Sequence, residues 1–361
     1  MKKFAALAMF VLAAALTLVA CSAESSEKTP AQKKVSIVAT TYPQYDWLKN
    51  VLGDRVGAVN LKLLIKNGTD LHSYKPSAQD IASIASADLV VYVGGESDEW
   101  IEKALSATPK AGRVQMSLMQ ALGDRVKEEE VVEGMQAEEH EHHHEHGEEA
   151  EEHEHEHHEH AEEHEHHEHA EAHEDHDHHE EVENDEHVWL SLKNAIILVD
   201  GIADALAKID AENATTYKAN ASAYMAKIQE LDNSYTAATS SVENKTILFG
   251  DRFPFRYLVD DYGIKYFAAF VGCSAESEAS FETVAFLAGK MDTLALPAIF
   301  TIDGSNGKIA RAILDASKKS KEAQVLTLNS MQSVTDAQME SGMDYLSIMQ
   351  SNLEVLKKAL K

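Results

Sequence analysis

Cationic side chains are missing from one long stretch of this chain. From Glu128 to Glu186 there is no Lys or Arg against 28 Asp and Glu. Elsewhere it is histidine that is scarce: 18 of the 20 histidines lie between His140 and His179, which leaves only His72 and His187. The chain carries 61 acids and 32 bases, so outside the acidic stretch 33 acids face 32 bases, and the formal charge of −29 belongs to one insert. No basic patch is present to neutralise phosphates, which excludes nucleic acid as a partner. The two cysteines, Cys21 and Cys273, offer no disulfide framework if Cys21 is modified.

A long apolar run occurs at the N-terminus, Phe4 to Ala20, in which Thr17 is the one polar residue. Lys2 and Lys3 precede it and "LVAC" (18–21) closes it. A charged start, an apolar run and small residues before a cysteine read as an export signal of the lipoprotein type, with Cys21 as the lipid anchor. The alternative is a transmembrane helix with an incidental cysteine, but 17 residues fall short of the roughly 20 needed to span a bilayer. The polar stretch 22–33 then reads as a tether. The expected location is extracytoplasmic, anchored to the cell membrane.

The tract "HEHEHHEHAEEHEHHEHAEAHEDHDHH" (153–179) has almost nothing apolar to bury, so it should be a mobile, disordered insert. "HEHHH" (140–144) and "HEHEH" (153–157) match the H-E-x-x-H metalloprotease pattern. That pattern works only on a stable helix, and in a His/Glu repeat it arises by chance. No nucleophile or base beside an open metal position is visible, so no enzyme is expected. The tract reads as a set of weak, exchangeable metal sites raising local ligand concentration, or as a zinc buffer, or as solubilising low complexity.

The remainder alternates short β-branched runs with amphipathic stretches. Strands are expected at 35–43, 58–65, 88–95 and 113–118, and again at 246–250, 264–270, 297–304 and 323–330. Helices are expected at 44–54, 77–87, 98–107, 280–296, 305–318 and 343–361, with Ser77 as an N-cap. This rhythm predicts an α/β protein of two lobes, each a parallel sheet flanked by helices. Residues 193–242 read as helical throughout, giving one long rigid linking helix. The expected boundaries are signal peptide 1–20, tether 21–33, N-terminal lobe 34–127, insert 128–186, loop and linking helix 187–243, and C-terminal lobe 244–361.

Ligands of such proteins sit beyond the carboxyl ends of the strands, between lobes. His72, in "GTDLHSYKPSAQDI", and His187, in "DEHVWLSLKNA", both fall in such loops. Each alone reads as an ordinary polar residue. Together, in a chain with 18 further histidines on one insert, they point to a metal, since neutral imidazole is a common ligand.

"TDLHSYKPSAQDI", "YVGGESDEWIEKAL" and "DEHVWLSLKNA" resemble the signature segments of metal-binding lipoproteins of ABC-type zinc and manganese importers, and "GDRFPFRYLVDDYGI" and "VGCSAESEASFETV" resemble the zinc-uptake-like branch with a His-rich loop. The resemblance runs from about residue 35 to 361. It implies an extracytoplasmic solute-binding protein that captures Zn²⁺ in the cleft and delivers it to an ABC permease for import, acting as a monomer, with the His-rich loop assisting capture. The alternatives are a surface zinc store or buffer, a metal-dependent adhesin, or the same transport role for Mn²⁺. The resemblance also implies His72 and His187 as metal ligands. In the C-terminal lobe this sequence departs from the family: "FGDRFPFRYL" has no histidine, so Asp251 is the expected donor, since Arg252 cannot bind a cation. Asn329 stands where the family has its last ligand, and Glu276 and Glu278 are further candidates. Cys273 reads as a buried thiol more readily than as a donor. A water or a loop histidine is expected to complete the site, with binding falling between about pH 7 and 5 as imidazoles protonate.

Overall fold

Every named strand runs parallel to its neighbours. The computed structural model describes residues 34–136, 183–274 and 278–360. β1 (Ser36–Ala39), β2 (Asn60–Leu63), β3 (Leu89–Tyr92) and β4 (Val114–Ser117) form a sheet in the order β2-β1-β3-β4. β5 (Thr246–Phe253), β6 (Lys265–Val271), β7 (Ala298–Ile302) and β8 (Gln324–Leu328) repeat it in the order β6-β5-β7-β8. β3 and β7 are buried along their whole length, as interior parallel strands are. In both sheets the strand order reverses beside the first strand, and loops leaving the carboxyl ends part there to form a crevice.

The N-terminal lobe carries α1 (Tyr42–Leu52), α2 (Ala78–Ser86), α3 (Glu99–Ala107) and α4 (Leu118–Leu122). Ser77 caps α2 as read from the sequence, accepting the Asp80 N–H while Asp80 reaches back to Ser77. Next come α5 (Leu192–Ile209) and α6 (Ala214–Ser240). The C-terminal lobe adds α7 (Arg256–Tyr262), α8 (Phe281–Leu294), α9 (Lys308–Ala316), α10 (Asp336–Glu340) and α11 (Tyr345–Ala359).

The connection between lobes differs in one respect from the uninterrupted helix expected over 193–242. Asp210 leaves the helical region (φ −145, ψ 70), a short turn over Ala211–Asn213 follows, and α6 starts afresh. The Asp210 carboxylate holds the break: it accepts from Asn213 Nδ2 and, at 2.6 Å, from Tyr217 Oη, tying the turn to the first turns of the new helix. α6 has 27 residues and is therefore about 40 Å long.

That length lets α6 bind both lobes. Asn220 Nδ2 donates to Val51 O of α1 at 3.0 Å, and Tyr235 Oη to Met349 O of α11 at 2.6 Å. Other aromatic side chains stitch the halves in the same way. Tyr42 Oη donates to Met343 O, Tyr345 Oη to Trp189 O and Trp189 Nε1 to Ser330 O, at 2.6, 2.7 and 2.8 Å. Each is a buried ring whose polar end satisfies a loop carbonyl. Residues Val35–Lys361 accordingly form one compact unit, with much of the hydrophobic core continuous across both sheets.

The signal peptide, Cys21 and the tether lie outside the described residues, as does most of the insert. Its feet, however, belong to the fold. Residues 128–136 and 183–186, assigned to the insert on composition, include an antiparallel bridge between Glu128 and Asn184. Val132 and Met135 pack on the core, Gln136 N donates to Ala269 O at 3.0 Å, and Lys290 pairs with Glu133 at 2.9 Å. The acidic count concealed those apolar residues. No helix among the described residues is long and apolar enough to cross a membrane.

Gly250 sets how closely α9 approaches β5: a Cβ there would lie 2.5 Å from Ala310 Cα and 2.8 Å from its N. Backbone cannot yield as a flexible side chain does. Gly250→Ala should therefore destabilise the protein by about 1–3 kcal/mol, read as a lower urea midpoint with unchanged slope. An unaltered midpoint would show that α9 is not held against the strand.

Candidate metal centre

Two imidazoles meet between the lobes. His72 lies in the turn Leu71–Ser73 after β2, and Asp70 caps that turn by accepting the His72 backbone N–H at 3.0 Å. His187 closes the segment from the insert and precedes the turn Val188–Leu190 leading into α5. Asp185 Oδ1 accepts both the His187 backbone N–H, at 2.8 Å, and its Nδ1–H, at 3.0 Å. On the other ring, His72 Nδ1 lies 2.7 Å from Ser97 Oγ and 3.8 Å from Glu186 Oε2. Both rings are thus engaged at Nδ1, which turns the Nε2 lone pairs inward. These Nε2 atoms are 3.1 Å apart. Two nitrogens each about 2.1 Å from a tetrahedral zinc would be about 3.4 Å apart.

Glycines allow the walls to close. A Cβ at Gly95, after β3, would fall 2.2 Å from Glu186 Oε1, the oxygen that accepts the Ser97 N–H at 2.8 Å. A Cβ at Gly272, after β6, would be 2.9 Å from Phe253 O and 3.1 Å from the His187 ring. Gly272 brings Cys273 in beside the histidines. Among the described residues, His72, His187 and Cys273 form the one group of three whose donor atoms all lie within 4.8 Å of one another. Gln332, in the loop after β8, adds a fourth side chain: its Nε2 is 2.9 Å from His72 Nε2 and 2.6 Å from His187 Nε2. A half-turn of that carboxamide would present its oxygen, a metal donor, in the same place.

Charge around the site is set by burial. The His72 imidazole is pushed down to about 3, first by desolvation and then by the His187 charge, with Asp70 opposing. Burial raises the Cys273 thiol well above its ordinary value, and the Glu129, Asp185 and Glu186 charges add to the effect. Burial likewise raises Glu129 and Glu186. Burial would raise Asp70 too, but the Arg252 guanidinium and His72 outweigh it and hold its carboxyl below the usual range.

Of the residues singled out from the sequence, His72 and His187 come together and the C-terminal-lobe candidates do not join them. A bulge in β5 between Phe249 and Arg252 re-aims the end of that strand. Asp251 faces a separate cavity of about 290 Å³ that it lines with Asp303, Ser305 and Lys308. Arg252 forms an ion pair with Asp70, so the lobes are bridged by charge where a donor was expected. Asn329 is used within its own loop, its Oδ1 accepting the Met331 N–H at 2.8 Å. Glu278 is exposed, and Glu276 lies outside the described residues. Sequence reasoning passed over Gln332, three residues from Asn329 in the same loop, and ranked Cys273 as a spectator. Asp185, two positions before His187, was a readable signal for an orienting carboxylate.

The chain is similar to known proteins whose descriptions name zinc. A family model described as "Zinc-uptake complex component A periplasmic" (ZnuA) matches residues 37–359. The zinc-binding lipoprotein AdcA of Streptococcus pneumoniae (strain R6) is 32% identical over 346 residues, 95% of this chain and 58% of that protein. This chain thus spans less than two thirds of the streptococcal relatives' length. The high-affinity zinc uptake system protein ZnuA of Bacillus subtilis (strain 168) is 30% identical over 355 residues, 98% of this chain and 97% of that one. The crystal structure of the Zn(II)-bound ZnuA-like domain of the pneumococcal AdcA superposes with a TM-score of 0.64 at 27% identity, covering 91% of this chain and 99% of the domain.

The low proton affinity of His72 has a measurable consequence. In the unfolded chain its imidazole titrates near 6.5, but in the fold only near 3. Below pH 6.5 the unfolded state holds the extra proton, so stability falls as pH drops towards 3. Chelator-treated protein should lose on the order of 1 kcal/mol per pH unit across this window through His72. His72→Gln should flatten the slope in urea midpoints taken at pH 7, 6 and 5; parallel slopes would rule out His72 as the cause. For the same reason protonation of His72 should not compete with a metal between pH 7 and 5, contrary to the expectation for ordinary imidazoles.

Proposed function

The chain belongs to the zinc-uptake complex component A family, and on that premise we propose that it captures Zn²⁺ between its lobes and delivers it to an ABC permease for import. The observation that carries this reading is the pair of inward-facing Nε2 atoms, 3.1 Å apart, on one ring oriented by the Asp185 carboxylate and one by the Ser97 hydroxyl. A structural histidine pair has no need to aim both lone pairs at one point. A cation placed there gains two nitrogens without rearrangement, and the surrounding Asp70, Asp185 and Glu186 carboxylates favour positive charge. The family is one of metal-binding transport proteins, not enzymes, and no catalytic role is assigned to the site.

The proposal extends to the ends of the chain. Cys21 is taken as the lipid anchor that holds the protein on the outer face of the cell membrane, beside its permease, and the protein as a monomer. The His/Glu-rich insert is taken as a collector of zinc near the cleft. Its feet support that placement: Glu183 and Asn184 line a cavity with Gly95 and Glu96, next to Ser97 and His72.

Three experiments test this. His72→Ala and His187→Ala should each weaken the tightest Zn²⁺ site at least tenfold by titration calorimetry, because each removes a nitrogen donor; wild-type affinity in both would exclude the cleft. Removal of residues 138–180 should leave the tight site intact, lower the zinc stoichiometry and slow uptake of radioactive zinc most when zinc is scarce. Unchanged uptake in cells lacking the whole gene would favour a store or buffer over a transport receptor.

A further inference from the structure

We propose that Cys273 supplies the C-terminal lobe's metal donor as a thiolate, making the cleft a two-nitrogen, one-sulfur site with the Gln332 carboxamide in the fourth place. This deepens the zinc-capture reading and rests on it.

Four observations converge. The Cys273 sulfur lies with the two imidazoles in a group whose donor atoms are all within 4.8 Å of one another. A tetrahedral zinc with bonds of about 2.1 Å to nitrogen and 2.3 Å to sulfur needs N···S separations of about 3.6 Å, an inward move of about 1 Å. The residue before it is glycine where a Cβ would meet both Phe253 O, at 2.9 Å, and the His187 ring, at 3.1 Å. The approach of this loop to His187 therefore depends on Gly272. The loop is also held from behind, since Glu129 Oε1 accepts the Cys273 N–H at 2.9 Å. Finally, the other candidates stand away from the histidines: Asn329 is bonded within its loop, and Asp251 lines a cavity that it shares with the Arg252–Asp70 pair and that neither histidine lines.

The chemistry balances simply. The thiol S–H bond breaks, its proton passes to solvent, and the sulfur lone pair forms the bond to the cation, with no change of oxidation state. A thiolate is a soft donor that suits Zn²⁺ and not Mn²⁺, which favours carboxylate, carbonyl and water. Gln332 completes the set. Its carboxamide already touches both Nε2 atoms, and its oxygen now accepts from Ser330 Oγ at 3.1 Å; rotation exchanges that oxygen for the NH₂ group at the site. A neutral amide adds no charge, so binding the divalent ion through one thiolate leaves a net charge of +1 on the donor set, balanced by the carboxylates around it.

Cobalt(II) alone is the probe, added to the full chain carrying Cys21→Ser so that Cys273 is the one thiol. The first equivalent of Co²⁺ should raise a near-ultraviolet sulfur-to-metal charge-transfer band, which imidazoles of the His-rich insert cannot produce. Zinc should abolish the band at stoichiometric ratio, and excess manganese should not. Cys273→Ser should lose the band and lower the preference for zinc over manganese at least tenfold. Should that variant fail to fold, the band in the parent protein decides the matter. Tight Co²⁺ binding that depends on His72 and His187 yet shows no such band would overturn the assignment of Cys273 and leave zinc capture standing. If no His72-dependent site is found at all, both fall.

Discussion

Two lone pairs directed at one point impose the constraint to which the rest of the site answers. His72 Nε2 and His187 Nε2 are 3.1 Å apart, and neither ring can turn away. Asp185 fixes one through Nδ1, while Ser97 and the Asp70-capped turn fix the other. A buried acceptor without a partner costs about 1–3 kcal/mol, so the arrangement calls for a donor or a cation between the rings. The Gln332 NH₂ group answers that demand with one N–H for each nitrogen. The scaffold behind them is equally fixed: tyrosine and tryptophan side chains tie loop carbonyls across the lobes, and α6 touches both halves. The entropy of ordering the donors is spent when the chain folds, and little is left to lose on binding.

Electrostatics explains why a guanidinium is tolerated beside a cation site. Arg252 does not face the histidines as an unpaired charge; it is neutralised by Asp70, which in turn holds the His72 backbone. The pair links the lobes and positions a ligand together. Asp185 and Glu186 stand on the other side, both buried, and Glu129 behind Cys273 is half-buried. At an effective dielectric of about 20, one charge pair at 4 Å is worth about 4 kcal/mol, so carboxylates at that range offset part of the desolvation that a cation meets on entering the site.

The fold was legible because its signals are local and repeated. Apolar runs ending in glycine became the buried β3, and Ser77 with Asp80 became the capping box of α2. The two histidines were legible because nothing else in the ordered chain resembles them. What could not be read was direction. Asp251 and Arg252 are adjacent and line the same cavity, and the bulge in β5 between Phe249 and Arg252 carries both away from the histidines. Asn329 and Gln332 share a loop and a chemistry, and their roles are separated by the left-handed Met331 (φ 62) between them, the turn Asn329 caps. The feet of the insert were hidden by the opposite error. A charge count averages over Val132 and Met135, whose packing outweighs the glutamates around them.

Those feet tie the strongest feature of the sequence to the cleft. The charge of −29 is confined to the acidic stretch, while the rest of the chain is close to neutral. At physiological salt a charge acts over about 8 Å, so an acidic tract influences a site only if it is attached nearby. It is attached at both ends. Glu183 follows it and leads directly through Asp185 to His187. On the preceding side, residues 128–136 lie along the C-terminal lobe, where Glu129 receives the Cys273 N–H and Glu130 bonds Tyr266 and Arg256. The same segment that carries the histidine-rich tract therefore braces the loop holding the cysteine. Glu129 meets Cys273 through both its backbone N–H and its thiol, and four residues of chain, 183–186, separate the tract from His187.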